Sequence, residues 1–247
     1  MKTILITGGS KGIGYAVAER VLHEGCRAIL LARDARGLDE ARAKLVAAGF
    51  AVERIHTAAV DVGDLEALKA CVAQLPWLDE GLDGLVNNAA AEILHRVEAF
   101  PIADIETMLR VNCVAPIVLI QLCLPALKKV RGSVVNVSSI ADQHTSPMYS
   151  VYGGTKAFLN SFTKHAAKEL GFDGVRINLV TPGGTDTPLM DFIIAKHFAS
   201  EEIRKVHASI PIEQRWGRPE EIADAVWFAL SGPRYLHGAD IRVDGGV

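Results

Sequence analysis

Short, almost uninterrupted apolar runs recur along the chain. They alternate with longer segments in which apolar residues return every three or four positions. The short runs fall at 3–7, 28–32, 52–60, 84–87, 133–137, 175–180 and 240–243. Runs of this kind are expected of strands buried on both faces of a parallel sheet. The longer segments fall at 12–23, 35–48, 64–74, 102–130, 150–170 and 219–230, and their spacing predicts amphipathic helices. Strand–helix alternation with right-handed crossovers implies an α/β fold. The expected architecture is one open, doubly wound parallel sheet of about seven strands with helices on both faces. The alternation runs from Thr3 to Val243 without repeat, linker or low-complexity stretch, so residues 1–247 read as a single domain. The rhythm breaks only at 183–216, which holds Pro188, Leu189, Met190, Phe192, Ile193, Ile194, Phe198, Pro211 and Trp216 but no clear strand. Such an insertion after a strand end suits a substrate-binding loop or lid, here 184–216, or a pair of short packing helices.

Composition narrows the classes. At 49% hydrophobic and 22% charged residues, the chain has ample material for a core and too much for disorder. The 22 glycines and 6% aromatics suit close approach of helices and strands. Lys and Arg total 26 against 29 Asp and Glu. That mildly acidic balance does not favour a nucleic-acid partner. No uninterrupted apolar run reaches the roughly 18 residues of a membrane span, and the first residues read as a strand rather than a signal peptide. Cys26, Cys71, Cys113 and Cys123 form no Cys-x-x-Cys, which predicts reduced thiols in a cytoplasmic protein. The eight histidines do not cluster, so no metal site is expected.

The candidate chemistry begins after the first strand. Thr7-Gly8-Gly9-Ser10-Lys11-Gly12-Ile13-Gly14 joins it to the first helix. Glycines there let backbone N–H groups approach a phosphate, and the helix N-terminus adds its positive dipole end. The spacing Gly8-x-x-x-Gly12-x-Gly14 is neither Gly-x-Gly-x-x-Gly nor a P-loop. Alone it fits a tight strand–helix junction as well as a phosphate cradle. After the second strand comes Ala32-Arg33-Asp34. Folds that bind NAD usually place an acid near this point for the ribose 2′-OH. Arg33 instead suits a 2′-phosphate, with Lys11 as a second positive charge, so NADP(H) is favoured over NAD(H). The alternative is that Arg33 is a solvated surface charge.

Tyr152 and Lys156 stand at i and i+4, on one face of the predicted helix. A nearby cation favours phenolate, so Lys156 is expected to lower the pKa of Tyr152 from about 10 and make it a general acid or base. The strand 133–137 ends in Ser138-Ser139, and Ser139 is placed to donate to a substrate oxygen. A hydrolase with Ser139 as nucleophile lacks a Gly-x-Ser-x-Gly elbow and has only His144 close in sequence.

Several further segments occur in a telling order: Asp61-Val62, Asn87-Asn88-Ala89-Ala90, Asn112, Pro182-Gly183 and Val243-Asp244-Gly245-Gly246. Together with the glycine turn, Ser139 and Tyr152-x-x-x-Lys156, they resemble the short-chain dehydrogenase/reductase superfamily over essentially the whole chain. The resemblance implies a Rossmann-type NADP(H)-binding oxidoreductase with Asn112, Ser139, Tyr152 and Lys156 as the catalytic set. In it, Tyr152 exchanges a proton with the carbonyl or alcohol oxygen, and Ser139 polarises that oxygen. Lys156 tunes Tyr152 and holds the nicotinamide ribose, and Asn112 holds a water behind Lys156. Gly8, Ser10, Lys11, Gly12, Ile13 and Gly14 take the pyrophosphate side, and Asp61 and Val62 flank the adenine. Asn88, Ala89 and Ala90 line the cleft. Pro182, Gly183, Thr185 and Thr187 meet the nicotinamide end. A homotetramer is also implied, with the helices near 102–130 and 150–170 between subunits. Two departures from the family pattern are Ala90 for a commoner glycine and Gly153-Gly154-Thr155 inside the Tyr–Lys motif. Two helical glycines cost roughly 1 kcal/mol each against alanine; room for the cofactor or a neighbouring helix would explain them.

Three activities fit this resemblance. The favoured one is reduction of a small or apolar ketone, with Leu94, Met148 and the apolar residues 189–198 as candidate pocket. Gln143 and His144 are candidate polar contacts. The second is a 3-oxoacyl-acyl-carrier-protein reductase, for which Lys128, Lys129 and Arg131 would supply part of a docking patch. Asp173, where carrier-dependent enzymes tend to have arginine, argues against it. The third is an NAD-dependent alcohol or sugar dehydrogenase. A catalytically inactive binding or regulatory protein is disfavoured by the complete catalytic set.

Overall fold

The structure, a computed structural model, describes residues 1–197 and 211–247. Phe198 and the rest of 198–210, part of the expected 184–216 segment, lie outside the described residues. Seven strands form one sheet: β1 (Thr3–Thr7), β2 (Arg27–Ala32), β3 (Ile55–Ala59), β4 (Gly84–Asn87), β5 (Ser133–Val137), β6 (Arg176–Pro182) and β7 (Asp240–Val243). Their order is β3-β2-β1-β4-β5-β6-β7, and every pair is parallel. The chain winds outward one way from β1 and then the other way from β4. The β1–β4 boundary is therefore the switch point at which such sheets leave a crevice.

Alternation along each strand feeds two cores. Ile4, Ile6, Ala28, Leu30, Val86 and Val135 point to one face, where α1 (Gly12–His23), α2 (Ala35–Ala47) and α8 (Pro219–Ser231) pack. Leu5, Ile29, Leu31, Leu85, Val134 and Ile177 point to the other, beneath α3 (Leu65–Val72), α5 (Ala115–Val130) and α6 (Ser150–Phe172). Burial on both sides explains why these strands read as continuous apolar runs. Two helix starts are fixed by aspartates. Asp34 accepts from Arg36 N at 3.1 Å, and Asp64 accepts from Ala67 N at 3.0 Å, each meeting an otherwise orphaned N–H.

Three expectations change. The run 52–60 is not all strand: Val52–Arg54 forms a 3₁₀ turn and pairing begins at Ile55. Val52 is half exposed, so the turn does not need it inside. The helix expected over 102–130 comes in two parts, α4 (Ile102–Leu109) and α5, joined by a π turn at Arg110–Val114. Among the described residues, Ile102–Val130 is also long and apolar enough, by length and composition, to cross a membrane, where no such run was expected. No charge stands between Arg110 and Lys128. Much of that apolarity is used by the sheet, since Ala115, Leu119, Cys123 and Leu127 are buried against it. The 183–216 segment carries α7 (Pro188–His197) and a parallel bridge from Thr185 to Gly217.

Candidate active site

The predicted residues come together because they sit just beyond strand carboxyl ends. Gly8, Ser10, Lys11, Gly12 and Ile13 follow β1. Arg33 follows β2, Asp61 and Val62 follow β3, and Asn88, Ala89 and Ala90 follow β4. All line one long cavity, whose far wall is Tyr152 and Lys156 from α6 with Thr187. A second cavity adjoins it. Ser139, Pro182, Gly183 and Thr185 line this one, with Ile140, Leu189, Met190, Ile194, Pro211 and Trp216. Tyr152 lies on the wall of both.

The first cavity suits a dinucleotide. Gly8 and Gly12 adopt φ of +68° and +55°, and a Cβ on Gly8 would stand 2.8 Å from Asn88 Nδ2. Backbone that close and that conformation require glycine. Asn88 braces the turn, donating to Thr7 O at 2.9 Å, while Thr7 Oγ1 accepts from Asn88 N and Ala89 N. Gly14 does not line the cavity. A Cβ there would meet Gly8 O at 2.2 Å, so Gly14 lets α1 tuck under the turn. Lys11 and Arg33 are exposed at the rim. Asp34 lines the same rim and caps α2, its side chain accepting from Arg36 N.

At the reacting end, Tyr152 and Lys156 are almost fully buried, 6% and 3% exposed. Burial holds the Tyr152 phenol well above its usual pKa, with negative charge at Glu92 and Tyr149 adding to the effect and a hydrogen bond with Ser139 opposing it. The expected lowering by Lys156 is not what this arrangement gives. The Lys156 Nζ donates to Val137 O at 3.0 Å and lies over the Tyr152 ring, 5.7 Å from its centroid. The i, i+4 spacing has set the ammonium against the ring face rather than at the phenolic oxygen. Burial lowers the Lys156 ammonium to about 8, against attraction from Glu92. Asn112 lines neither cavity. The π turn aims its amide at the chain after β4: Oδ1 accepts from Ala91 N and Nδ2 donates to Ala91 O, both at 2.8 Å, and Nδ2 also reaches Thr155 Oγ1 at 3.0 Å. π turns inside helices recur at functional sites. This amide clamps Ala91 to α6.

Residues 2–197 match the family model for short chain dehydrogenases. The chain belongs to the short-chain dehydrogenase family. It is thus an oxidoreductase of CH–OH and carbonyl groups. Members similar over nearly the full length include a 3-oxoacyl-acyl-carrier-protein reductase of rhamnolipid biosynthesis from Pseudomonas aeruginosa, 30% identical over 98% of this chain and 94% of the relative. A tropinone reductase homolog of Arabidopsis thaliana is 34% identical, covering 99% of this chain and 90% of the relative. A short chain dehydrogenase from Burkholderia cenocepacia, solved in complex with NADP, superposes with a TM-score of 0.87 at 30% identity, covering 99% and 97%.

As a short-chain dehydrogenase the chain has a reason for its unusual glycine. A Cβ on Gly153 would lie 2.4 Å from Ala141 O. The 3₁₀ turn Ile140–Asp142 that follows Ser139 presses on α6 at that point. Gly154 meets nothing within 4 Å. Other expectations shift. Leu94 is a core residue and Met148 lies outside the second cavity. Gln143 turns away to Asp142 and Arg242, whereas His144 does line the cavity. Sequence reasoning missed Glu92, Tyr149, Ser146 and Val247, all on the same wall. Nothing in the order Ala90-Ala91-Glu92 marks that carboxyl as part of a site; the Asn112 clamp and the fold bring it there.

Proposed function

We propose that this chain is an NADPH-dependent carbonyl reductase, exchanging a hydride between nicotinamide and a ketone or secondary alcohol. The observation that carries the reading is Tyr152, standing beside Ser139 on the wall common to the cofactor and substrate cavities. Ser139 Oγ holds the carbonyl oxygen. Tyr152, kept protonated at neutral pH by its burial, donates its proton to that oxygen as the carbonyl carbon is reduced. Lys156 and the turn residues hold the nucleotide; when bound, its nicotinamide supplies or takes the hydride. Lys11 and Arg33 at the rim support NADP(H) over NAD(H). The 184–216 segment forms the substrate side, a role supported by Thr185, Thr187, Leu189, Met190, Ile194, Pro211 and Trp216 on that wall.

The Pseudomonas relative's name favours a second reading, an acyl-carrier substrate. The cations that would greet an acidic carrier are engaged, which weakens it. Lys128 pairs with Asp173 at 2.8 Å, and Lys129 donates to Asp79 O. Four unpaired cysteines support a reducing, cytoplasmic location. Apolar residues left exposed along α4 to α6, Leu109, Val114 and Phe158, support assembly into a homotetramer.

The test is loss of NADPH absorbance with free ketones and with acyl-carrier thioesters in parallel. Tyr152→Phe is expected to lower kcat about 10²- to 10⁴-fold with KM nearly unchanged. Full activity in that variant would remove the proposed proton donor.

A further inference from the structure

The substrate cavity has one acidic wall. Most of it is apolar: Ile13, Leu189, Met190, Ile194 and Trp216. Against these stand Glu92 and Tyr149, side by side with Ser139 and Tyr152. The Glu92 carboxyl shares a hydrogen bond with the Tyr149 hydroxyl, and the Tyr149 ring meets the Tyr152 ring edge-on, with centroids 6.0 Å apart. The backbone beside it does not drift, because Asn112 clamps both the N–H and the C=O of Ala91. Burial raises the Glu92 carboxyl above its usual pKa, opposed by the Tyr149 hydrogen bond and by attraction from Lys156, whose Nζ is bonded to Val137 O.

An ionised carboxylate offers about four acceptor positions, and Tyr149 fills one. Once a substrate fills the cavity and displaces water from the others, leaving them unpaired is costly. A substrate that brought a donor to them would remove that cost; one that did not would trap it. An anionic substrate would meet repulsion as well.

We propose that Glu92, held by Tyr149, is a specificity subsite for a hydrogen-bond donor, a hydroxyl or an ammonium, carried by the substrate close to its reacting carbon. Ser139 and Tyr152 take the carbonyl oxygen while Glu92 takes the donor. The apolar wall accepts the rest of the molecule. This inference rests on the oxidoreductase reading and adds the substrate class to it.

The experiment measures kcat/KM with NADPH for a matched trio: an unsubstituted ketone, its hydroxy ketone and its amino ketone. The wild-type enzyme is expected to favour at least one substituted member about 10- to 100-fold, chiefly through KM. Glu92→Leu is expected to abolish the preference. Glu92→Gln separates the sources, because an amide oxygen still accepts from a hydroxyl but does not neutralise an ammonium. A preference kept in Glu92→Gln assigns the hydroxyl, and one lost assigns the ammonium. Equal kcat/KM across the trio in the wild type, or a preference that survives in Glu92→Leu, overturns the subsite and leaves the oxidoreductase reading standing. If Glu92→Leu does not fold, the wild-type trio and Glu92→Gln decide. Failure of every ketone with NADPH and NADH alike overturns the oxidoreductase reading, and the subsite falls with it.

Discussion

Arg33 and Asp34 are adjacent, oppositely charged and exposed on the wall of one cavity. Asp34 also caps α2, accepting from Arg36 N. On the proposed reading Arg33 faces the 2′-phosphate of NADP(H), while one Asp34 oxygen is committed to the cap. Replacing Arg33 with alanine is expected to raise KM for NADPH about 10- to 100-fold, the range of a charge-assisted hydrogen bond, and to change KM for NADH little. Steady-state kinetics with both nucleotides checks it; an equal effect on the two would return Arg33 to an ordinary surface charge. The position of Arg33 was legible in the sequence, because the second strand ends just before it. Glu92 was not, because what distinguishes it is Tyr149, 57 positions later, and only the fold brings the two together.

At the scale of elements, the start of α6 shows why a motif needs its neighbours. Gly153 and Gly154 looked equivalent, each a cost to helix formation. In the fold they differ, since Ala141 O occupies the space beside Gly153 and nothing occupies that beside Gly154. Gly153→Ala must push the 3₁₀ turn outward, and Ser139 is anchored in that turn through Ala141 N. The expected result is a large fall in kcat. Gly154→Ala is expected to raise unfolding free energy by about 0.4–1 kcal/mol, read from denaturant titration. A loss of stability instead would mean that another chain lies against that face of α6. The sequence also showed where helices lie better than where they break. The π turn at 110–114 carries no glycine or proline itself, but Pro116 two residues on has no N–H to give Asn112 O and crowds it, and the Asn112 amide reaches Ala91 from that turn.

Across the whole molecule, the sheet was the most legible feature. Six of the seven strands were placed to within two residues of their observed ends, because burial on both faces leaves little choice of residue. Only β3 was drawn too long at its start. The paired cavities were less legible, since their walls collect short pieces from every crossover. Stability also bears the mark of the site. Lys156 titrates near 8 in the fold against 10.5 as a free side chain. The unfolded chain therefore binds more protons between those values, and stability rises with pH across that window. Below pH 8 both states are protonated and the cost of the buried charge is fully present. The unfolding free energy of Lys156→Met minus that of wild type should accordingly fall by about 3 kcal/mol between pH 8 and pH 10.5. Denaturant unfolding at several pH values measures it, and a flat difference would mean that Lys156 is not buried as a charge.

The π turn has one more consequence. Each residue of an α-helix advances the chain by about 100° around the axis, and a π turn accommodates one residue more than an α turn does. The rod Ile102–Val130 is therefore two cylinders whose sequence patterns are offset by one residue. Leu119, Cys123 and Leu127 of the second face the sheet, while Ile102 and Leu109 of the first face outward. Deleting a single residue from 110–114 would restore an even helix and keep every side-chain type nearby. Both cylinders would keep the faces they present, because the bulge has already absorbed the extra residue; what would go is the wide turn that aims Asn112 at the backbone of Ala91. Length in this stretch is consequently as constrained as composition.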